Sequence, residues 1–260
     1  MKNSVENQFK GDNGEVVLLT LDPGHFHASL VQKVMYPQID STVYVFGPEG
    51  PDIQDYLNRI ENFNNRDNEP TRWNEIVYTG KDYFDKMLVQ KPGNLVVISG
   101  NNKIKADYIL RSVKAGFNIL ADKPMIIYPE DFQKLEQAFE VAEEKGVLLY
   151  DIMTERHEIT SILQRKLSGI PEIFGQVKHG SSENPAITKE SVHHFFKYVA
   201  GSPLKRPAWF FDTSQQGDGL VDVTTHLVDL IQWECYPGEI IMKDDIEISK
   251  STHWPTLLNS

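Results

Sequence analysis

The sequence predicts an α/β protein in which a parallel β-sheet domain is followed by an α+β domain. Short apolar runs alternate with segments of helical length between residues 15 and 150. The apolar runs, such as Leu95–Ser99, lack the polar alternation of a strand with one wet face, so helices should cover both faces of the sheet. After about residue 151 this alternation stops, which predicts the start of a second domain.

The elements of the first domain follow from the spacing of apolar residues. The predicted strands are Val16–Leu21, Val43–Phe46, Ile76–Tyr78, Leu95–Ser99, Phe117–Ala121 and Val147–Tyr150. The predicted helices are His25–Met35, Asp52–Phe63, Lys81–Val89, Lys103–Ala115 and Pro129–Lys145. Gly116 and Gly146 follow two of these helices, and glycine is the usual residue at a left-handed helix end.

The remaining chain is predicted to hold a polar tail at residues 1–14 and a substrate or oligomerisation domain at residues 151–260. In that second domain we expect helices over Glu158–Leu167 and Leu220–Trp233, and strands over Ile173–His179 and Glu239–Ser249. His193–Phe196 is interpreted as irregular structure. Few residues follow Gly238, so the mostly antiparallel sheet of this domain is expected to be incomplete here.

Composition limits the class of partner. The formal net charge is −11, which disfavours nucleic acid or an anionic membrane surface as the main partner. No apolar run reaches the roughly 18 residues of a membrane-spanning helix, and Met1–Gly14 is too polar for an intact signal peptide. We therefore expect a soluble protein, either cytoplasmic or, if a signal peptide has been removed, periplasmic. Cys235 is the single cysteine, so an internal disulfide is excluded.

The first strand is followed by Asp22-Pro23-Gly24-His25-Phe26-His27. A dinucleotide-binding turn has glycines here, so that the backbone can approach a pyrophosphate at the helix N-terminus. Only the middle glycine, Gly24, is present. The acidic residue that usually ends the second strand is also missing, because Gly47 occupies its place. Glu49 is either its substitute or a solvated loop residue.

Two later motifs carry more chemical information. Asp122-Lys123-Pro124 follows the strand Phe117–Ala121, at an edge where α/β proteins bind ligands. A lysine there could stabilise negative charge developing on a substrate oxygen, or it could be an ordinary turn residue. Further on, Gly217-Asp218-Gly219 opens a predicted helix that carries Asp222 and His226 four residues apart. This pair suits a general base with an orienting carboxylate, or a helix cap beside a partly buried histidine.

Together these motifs resemble the glucose–fructose oxidoreductase/inositol dehydrogenase family, also called Gfo/Idh/MocA, from about Glu15 to Gly238. Asp122-Lys123-Pro124 is similar to the family's Glu-Lys-Pro triplet, and Asn102 to the asparagine that ends its fourth-strand segment. Lys105 stands where the family commonly has a histidine. The glycine-rich stretch with Asp222 and His226 is similar to the Asp-x-x-x-His motif of the family's second domain.

The resemblance implies a Rossmann-type domain and an NAD- or NADP-dependent oxidoreductase that moves a hydride between nicotinamide and a sugar or cyclitol carbon. It implies Lys123 and His226 as the catalytic pair with Asp222 beside them, a cis bond before Pro124, and a possible homo-oligomer through the second-domain sheet. Arg156 and Trp209 are expected to line the substrate cleft, and no metal ligand is assigned. The expected cofactor-binding residues are Pro23, Gly24, His25, Phe26, Ser99, Asn102 and Asp122.

Three alternatives remain open at this stage. Some relatives use bound NAD transiently to hydrolyse glycosides. A binding or regulatory protein could also retain the dinucleotide fold while its catalysis is lost together with the missing glycines. Finally, His25-x-His27 after an apolar strand is similar to the start of a metal-dependent amidohydrolase barrel, in which both imidazoles would bind zinc.

Overall fold

The computed structural model describes residues 9–191 and 196–255. The first eight residues of the predicted polar tail, and His193–Phe195 of the segment interpreted as irregular, lie outside the described residues. The described residues of Met1–Met153 and His193–Thr225 form one compact unit. Those of Thr154–Val192 and His226–Ser260 form a second unit. Residues 196–225 therefore group with the sheet domain, although they follow the predicted boundary at residue 150.

The first unit is built on a six-stranded parallel sheet with the order β3-β2-β1-β4-β5-β6. Its strands are β1 (Leu18–Leu21), β2 (Thr42–Phe46), β3 (Asn74–Tyr78), β4 (Leu95–Ile98), β5 (Asn118–Asp122) and β6 (Leu149–Ile152). All five neighbouring pairs are parallel; Leu19 of β1, for example, pairs with Tyr44 and with Val96. The predicted parallel α/β fold is confirmed.

Helices cover both faces of this sheet because its strands are apolar on both sides. Leu19 and Leu21 pack with α3 (Tyr83–Gln90), α4 (Lys105–Lys114) and α5 (Phe132–Lys145). Leu18 packs on the opposite face with α1 (His27–Leu30) and α2 (Pro51–Asn65). A 3₁₀ turn, Pro129–Asp131, precedes α5. The carboxyl ends of β1, β4 and β5 therefore meet at one edge between the two helical layers.

Helix α1 is much shorter than the predicted helix His25–Met35. It spans four residues, and the chain continues in tight turns such as Gln32 N–H to the Ser29 carbonyl at 3.0 Å. The Gln32 carbonyl accepts a hydrogen bond from the Trp73 indole at 2.6 Å instead of one from a helical amide. The prediction of a long helix was wrong because a distant aromatic side chain takes over a main-chain acceptor.

Several short elements occur within residues 196–225 of the first unit. They are β7 (Tyr198–Val199) and β8 (Ser202–Pro203), which form a two-stranded antiparallel sheet, a 3₁₀ helix Ala208–Phe211, α8 (Thr213–Gln216) and α9 (Gly219–Asp222). Helix α10 (Thr224–Cys235) follows α9. The helix predicted over Leu220–Trp233 is thus interrupted at Val223, so Asp222 and His226 stand in different helical segments.

The second unit contains α6 (Ile159–Ser168), α7 (Pro171–Phe174) and most of α10. The strands predicted over Ile173–His179 and Glu239–Ser249 were wrong, since among the described residues neither range pairs with another strand. Pro171 starts a short helix, as proline favours the first helical turn, and Lys243–Asp245 forms a 3₁₀ turn. An alternating apolar pattern does not form a stable strand unless a neighbouring strand is available to hydrogen-bond with it.

Within the described ranges, no helix combines the length and the apolar character needed to cross a membrane.

Candidate functional site

The turn after β1 is tied to the end of β4 by its own backbone. The amides of Gly24 and His25 both donate to the Ser99 carbonyl, at 3.1 and 3.0 Å. Asp22 adopts a left-handed φ of 48°, and its carboxylate accepts a hydrogen bond from the Tyr108 hydroxyl at 3.0 Å. Burial raises the pKa of Asp22, and the hydrogen bond from Tyr108 opposes that rise. The Asp22 carboxylate, which would repel a pyrophosphate at this turn, is therefore turned into the protein.

Gly24 faces a tightly packed neighbour. A Cβ at this position would stand 3.0 Å from the Trp209 ring and 3.1 Å from the Asp52 carboxylate. The Trp209 indole donates to that carboxylate at 2.6 Å, which fixes both side chains. Glycine is required here for a close approach, as the sequence predicts, but in this arrangement the approaching group is an indole.

Asp122, at the end of β5, accepts hydrogen bonds from three side chains in the segments that follow β1 and β4. One oxygen accepts from His25 Nδ1 at 2.7 Å and from the Ser99 hydroxyl at 2.8 Å, and the other accepts from His27 Nδ1 at 2.9 Å. Burial alone would raise the pKa of Asp122, but the two histidines hold it well below its usual range. The Asp122 carboxylate is therefore ionised, and its hydrogen bonds hold the turn after β1 against the end of β5.

Arg206 fixes the protonation of this cluster. Its guanidinium lies 2.9 Å from His25 Nε2 and stacks over Phe210, 4.1 Å from the ring centroid. A guanidinium only donates, so His25 Nε2 accepts and Nδ1 carries the proton given to Asp122. Burial lowers the pKa of His25 to about 3, although Asp122 opposes that shift, and the neutral imidazole agrees with this pattern.

His25, His27 and Asp122 also form a group whose ligand atoms lie within 4.8 Å of one another, close enough to suggest a metal ion. A metal bound at His25 Nδ1 would move the ring proton to Nε2, where it would oppose the donor of Arg206. These contacts therefore fit a network of side-chain hydrogen bonds better than a metal centre. The amidohydrolase-barrel alternative was wrong, because the sheet is open and six-stranded.

Lys123 is held by Asp222, as part of a buried ion pair. The Lys123 ammonium donates to the Asp222 carboxylate and to its main-chain carbonyl, each at 2.9 Å. Gln216 Nε2 donates to the same carboxylate oxygen at 2.9 Å. Burial would raise the pKa of Asp222, and Lys123 more than offsets it, so that this pKa lies below its usual range. The predicted cis bond between Lys123 and Pro124 is confirmed.

A second buried lysine, Lys105, fixes the backbone on both sides of Lys123. It is 1% exposed and donates to the carbonyls of Asp122 and Pro124, each at 3.0 Å, and to the side chain of Asn102. Asn102 Nδ2 in turn donates to the Gln216 carbonyl at 2.8 Å. The hydrogen bonds thus form a closed ring that joins the two lysines through Asn102, Gln216 and Asp222.

Sequence reasoning missed the roles of Lys105, Gln216 and Arg206. For Lys105 a signal existed, because a lysine in the first turn of a helix opposes the helix dipole unless it is held elsewhere. For Gln216 and Arg206 the sequence offered no signal, because Asn102 lies 114 residues from Gln216 and His25 lies 181 residues from Arg206.

The second unit holds the two other predicted site residues. Arg156 makes a two-pronged ion pair with Asp229, with Nε to Oδ2 at 2.7 Å. It lines a cleft of about 290 Å³ together with Arg165, Trp233 and Tyr236. His226 lies in α10 and is half-buried. That His226 meets Lys123, and that Arg156 and Trp209 share one substrate cleft, remain predictions.

A wider cleft of about 440 Å³ opens at the carboxyl end of β2. The loop from β2 into α2 forms one side of it, and Pro207, Ala208 and Trp209 form the other. Three carboxylate residues, Asp22, Glu49 and Asp52, are among the lining residues. This cleft lies beside the first turn, at the edge where open α/β sheets bind their ligands.

A parallel sheet of order 3-2-1-4-5-6 with a cleft at its carboxyl edge is the Rossmann-type, dinucleotide-binding fold. Residues 163–260 match the family model described as "Putative oxidoreductase C terminal domain". No curated protein matches the sequence.

Solved structures give the same fold. The chain is similar to a "putative oxidoreductase" from Parabacteroides merdae ATCC 43184, with 57% identity, a TM-score of 0.86, and coverage of 90% of this chain and 54% of that one. It is also similar to the WlbA dehydrogenase of Bordetella pertussis in complex with NADH and UDP-GlcNAcA, at 14% identity, a TM-score of 0.57, and coverage of 86% and 58%. A levoglucosan dehydrogenase in complex with NADH and levoglucosan shares 14% identity, a TM-score of 0.53, and coverage of 84% and 53%. The chain thus spans about half the length of these relatives.

Proposed function

We propose that this chain belongs to an NAD(P)-dependent oxidoreductase of the Gfo/Idh/MocA type, which transfers a hydride between nicotinamide and a hydroxyl-bearing carbon of a sugar or cyclitol. The observation that carries the proposal is the buried Lys123–Asp222 pair at the carboxyl end of β5. A buried ion pair is costly to assemble and often adds little stability, so a functional reason for it at a ligand-binding edge is favoured. The complexes of the two distant dehydrogenases with NADH and sugar ligands support the same class of chemistry.

A dinucleotide fits this chain in part as it stands. The cleft at the end of β2 has room for an adenosine, and Pro207 and Ala208 in its wall offer an apolar surface for the base. The place above Gly24 is occupied by Trp209, and the amides of Gly24 and His25 bind Ser99. A pyrophosphate at this turn therefore requires the Trp209 indole to leave Asp52 and swing outward.

Several residues of this chain would have distinct roles in the hydride transfer. When bound, the nicotinamide accepts or returns the hydride. The Lys123 ammonium would stabilise negative charge on the substrate oxygen, and Asp222 orients that ammonium through the ion pair. Lys105 holds the two carbonyls that flank Lys123 and so fixes its backbone. His226 would take the proton of the hydroxyl group as general base.

A second candidate is a dinucleotide-fold binding or regulatory protein without catalysis. The observation in its favour is that Trp209 packs on Gly24 and that the amides of Gly24 and His25 are already hydrogen-bonded to the Ser99 carbonyl. The two candidates differ in one measurable property, because only the oxidoreductase turns over a nicotinamide cofactor.

The test starts with thermal unfolding of the protein alone and with NAD⁺, NADH, NADP⁺ or NADPH, since a ligand that binds the folded state raises its stability. Hydride transfer to or from a panel of sugars and cyclitols is then followed at the nicotinamide absorbance band. Lys123→Met should lower turnover by roughly 10²–10⁴-fold, while Lys103→Met, at an exposed position on the same edge, should leave it unchanged. Binding without turnover on any substrate would favour the second candidate, and no binding at all would exclude the oxidoreductase.

A further inference from the structure

The cleft at the end of β2 is acidic where a dinucleotide would present its adenosine ribose. We infer that this cleft takes an unphosphorylated ribose, so that the cofactor is NAD(H) rather than NADP(H). The inference rests on the proposed function, because it concerns which dinucleotide that site accepts.

The position of the cleft identifies the part of the cofactor. In a Rossmann-type sheet the adenosine ribose lies at the end of the second strand, and its 2′ position decides between the two cofactors. Here β2 ends at Phe46, and the following loop leads into the N-terminus of α2 at Pro51. The same loop lines the cleft through Pro48, Glu49 and Gly50.

The charge of the cleft decides which ribose it prefers. Glu49 and Asp52 supply its carboxylates, whereas the carboxylate of the third acidic lining residue, Asp22, is turned to Tyr108; the described residues that line it include no lysine, arginine or histidine. A 2′-phosphate carries close to two negative charges and needs a cation beside it. Arg206, next to the lining residue Pro207, is directed to His25 Nε2 instead. An added phosphate would therefore meet repulsion without compensation.

The carboxylates suit ribose hydroxyls as hydrogen-bond acceptors. The Trp209 indole donates to Asp52 at 2.6 Å and would release it on moving away from Gly24, and Asp22 is turned toward Tyr108. Glu49 is exposed at the rim and is the side chain with the most freedom to approach the ribose. Gly47, at the position usually taken by the acidic residue, is packed against the Asp22 backbone: a Cβ there would stand 3.4 Å from Asp22 Cα. We therefore assign discrimination at the 2′ position to Glu49, with Asp52 contributing to the negative field of the cleft.

The test compares the dissociation constants of NAD⁺ and NADP⁺ by calorimetry with the whole chain at low ionic strength. We expect NAD⁺ to bind at least about tenfold more tightly. Added salt should narrow that ratio, because screening weakens repulsion between partly exposed charges. Glu49→Lys should raise the affinity for NADP⁺ by about tenfold or more and bring the ratio close to one. Glu61→Lys places the same charge change at an exposed position of α2 outside the cleft lining and is the matched control.

Each outcome bears on the inference. A preference for NAD⁺ that Glu49→Lys removes and Glu61→Lys preserves would support it. Equal affinity for the two cofactors, tighter NADP⁺ binding, or an equal response to both lysine variants would overturn it while leaving the proposed oxidoreductase in place. If neither dinucleotide binds, the proposed function and this inference fall together. Glu49 is exposed, so folding of the variant can be verified by its circular dichroism.

Discussion

Buried charged residues connect the strand ends of this fold, and each is matched by partners from distant segments. Asp122 joins β5 to the first turn, Lys105 joins α4 to the residues around Lys123, and Asp222 joins Lys123 to the segment before α10. Because each of these charges is buried, losing one partner leaves the other without solvent to compensate. Their contribution is to fix geometry at the carboxyl edge of the sheet.

Lys105 offers a direct measurement at this scale. Lys105→Met keeps a side chain of similar length but leaves the Asn102 side chain and the Asp122 and Pro124 carbonyls without their shared donor. We expect the free energy of unfolding to fall by about 2–4 kcal/mol, since buried unsatisfied acceptors cost about 1–3 kcal/mol each and relaxation recovers part of that. Urea unfolding measures the change. Lys103→Met, at an exposed position, should stay within about 0.5 kcal/mol of the parent, and a similar loss in both variants would contradict the role given to Lys105.

What the sequence could predict at residue scale follows from how local each signal is. Lys123, Asp222 and Asn102 are recognisable because they stand in motifs with fixed spacing. The direct ion pair of Lys123 with Asp222 was not predicted: the resemblance implied only that Asp222 lies beside Lys123 and His226, and the helical spacing assigned Asp222 to orient His226. In the structure the helix is interrupted at Val223, and Lys123, 99 residues earlier in the chain, donates to the Asp222 carboxylate. Contacts between residues so far apart in the chain produce no periodic pattern from which they could be predicted.

The strands and long helices match their predictions, because burial in the core spaces their apolar residues in a regular pattern along the chain. The predicted ranges of α2, α4 and α5 lie close to the observed ones, and each of these helices buries a stripe of apolar residues. The failures share one cause. Helix α1 and the two unpaired strands of the second unit depend on what lies next to them, namely the Trp73 indole in one case and a neighbouring strand in the others.

Strand β3 lies at the edge of the sheet and carries a carboxyl that is sensitive to pH. Glu75 accepts from Gln32 at 2.6 Å and from the Tyr56 hydroxyl at 3.2 Å. Burial raises the pKa of Glu75 to about 7, and the two hydrogen bonds only partly oppose that rise. A carboxyl with a raised pKa binds its proton more strongly in the folded state. Its contribution to stability is therefore fully present below the unfolded pKa, near 4.5, and is lost as the pH rises through 7.

Glu75→Gln removes that titration. Relative to the parent, we expect the variant to gain stability as the pH rises from 5 to 8, by up to about 3 kcal/mol. Guanidinium unfolding at several pH values measures the difference. Glu61→Gln, on the exposed side of α2, should show no such dependence on pH. A parent and a variant with parallel pH profiles would show that Glu75 is ionised in the folded protein at pH 5, contrary to the raised pKa.

At the scale of the whole chain, the two units differ in how much apolar surface they bury. Most of the buried apolar residues belong to the sheet unit, where strands such as β1 are fully buried. In the second unit, side chains such as Ile173, Phe174, Ile240 and Ile248 are each more than 60% exposed. Local opening is easiest where few apolar contacts are lost, so the second unit should open more readily than the sheet.

Amide hydrogen exchange tests this difference and the failed strand predictions together. Amides of β1, β4 and β5 should exchange slowest, because each donates in a ladder between two neighbouring strands. Amides of residues 176–179 and 247–255 should exchange close to the rate of an unfolded peptide, since these stretches have no strand partner among the described residues. Helix α10 serves as an internal reference, because its amides make helical hydrogen bonds in the same unit and should exchange at intermediate rates. Strong protection across 239–249 would contradict the unpaired arrangement and would show that the period-two pattern forms a strand in solution. Protection confined to the sheet and the long helices would show that the alternating apolar residues of this unit form no strand in this chain.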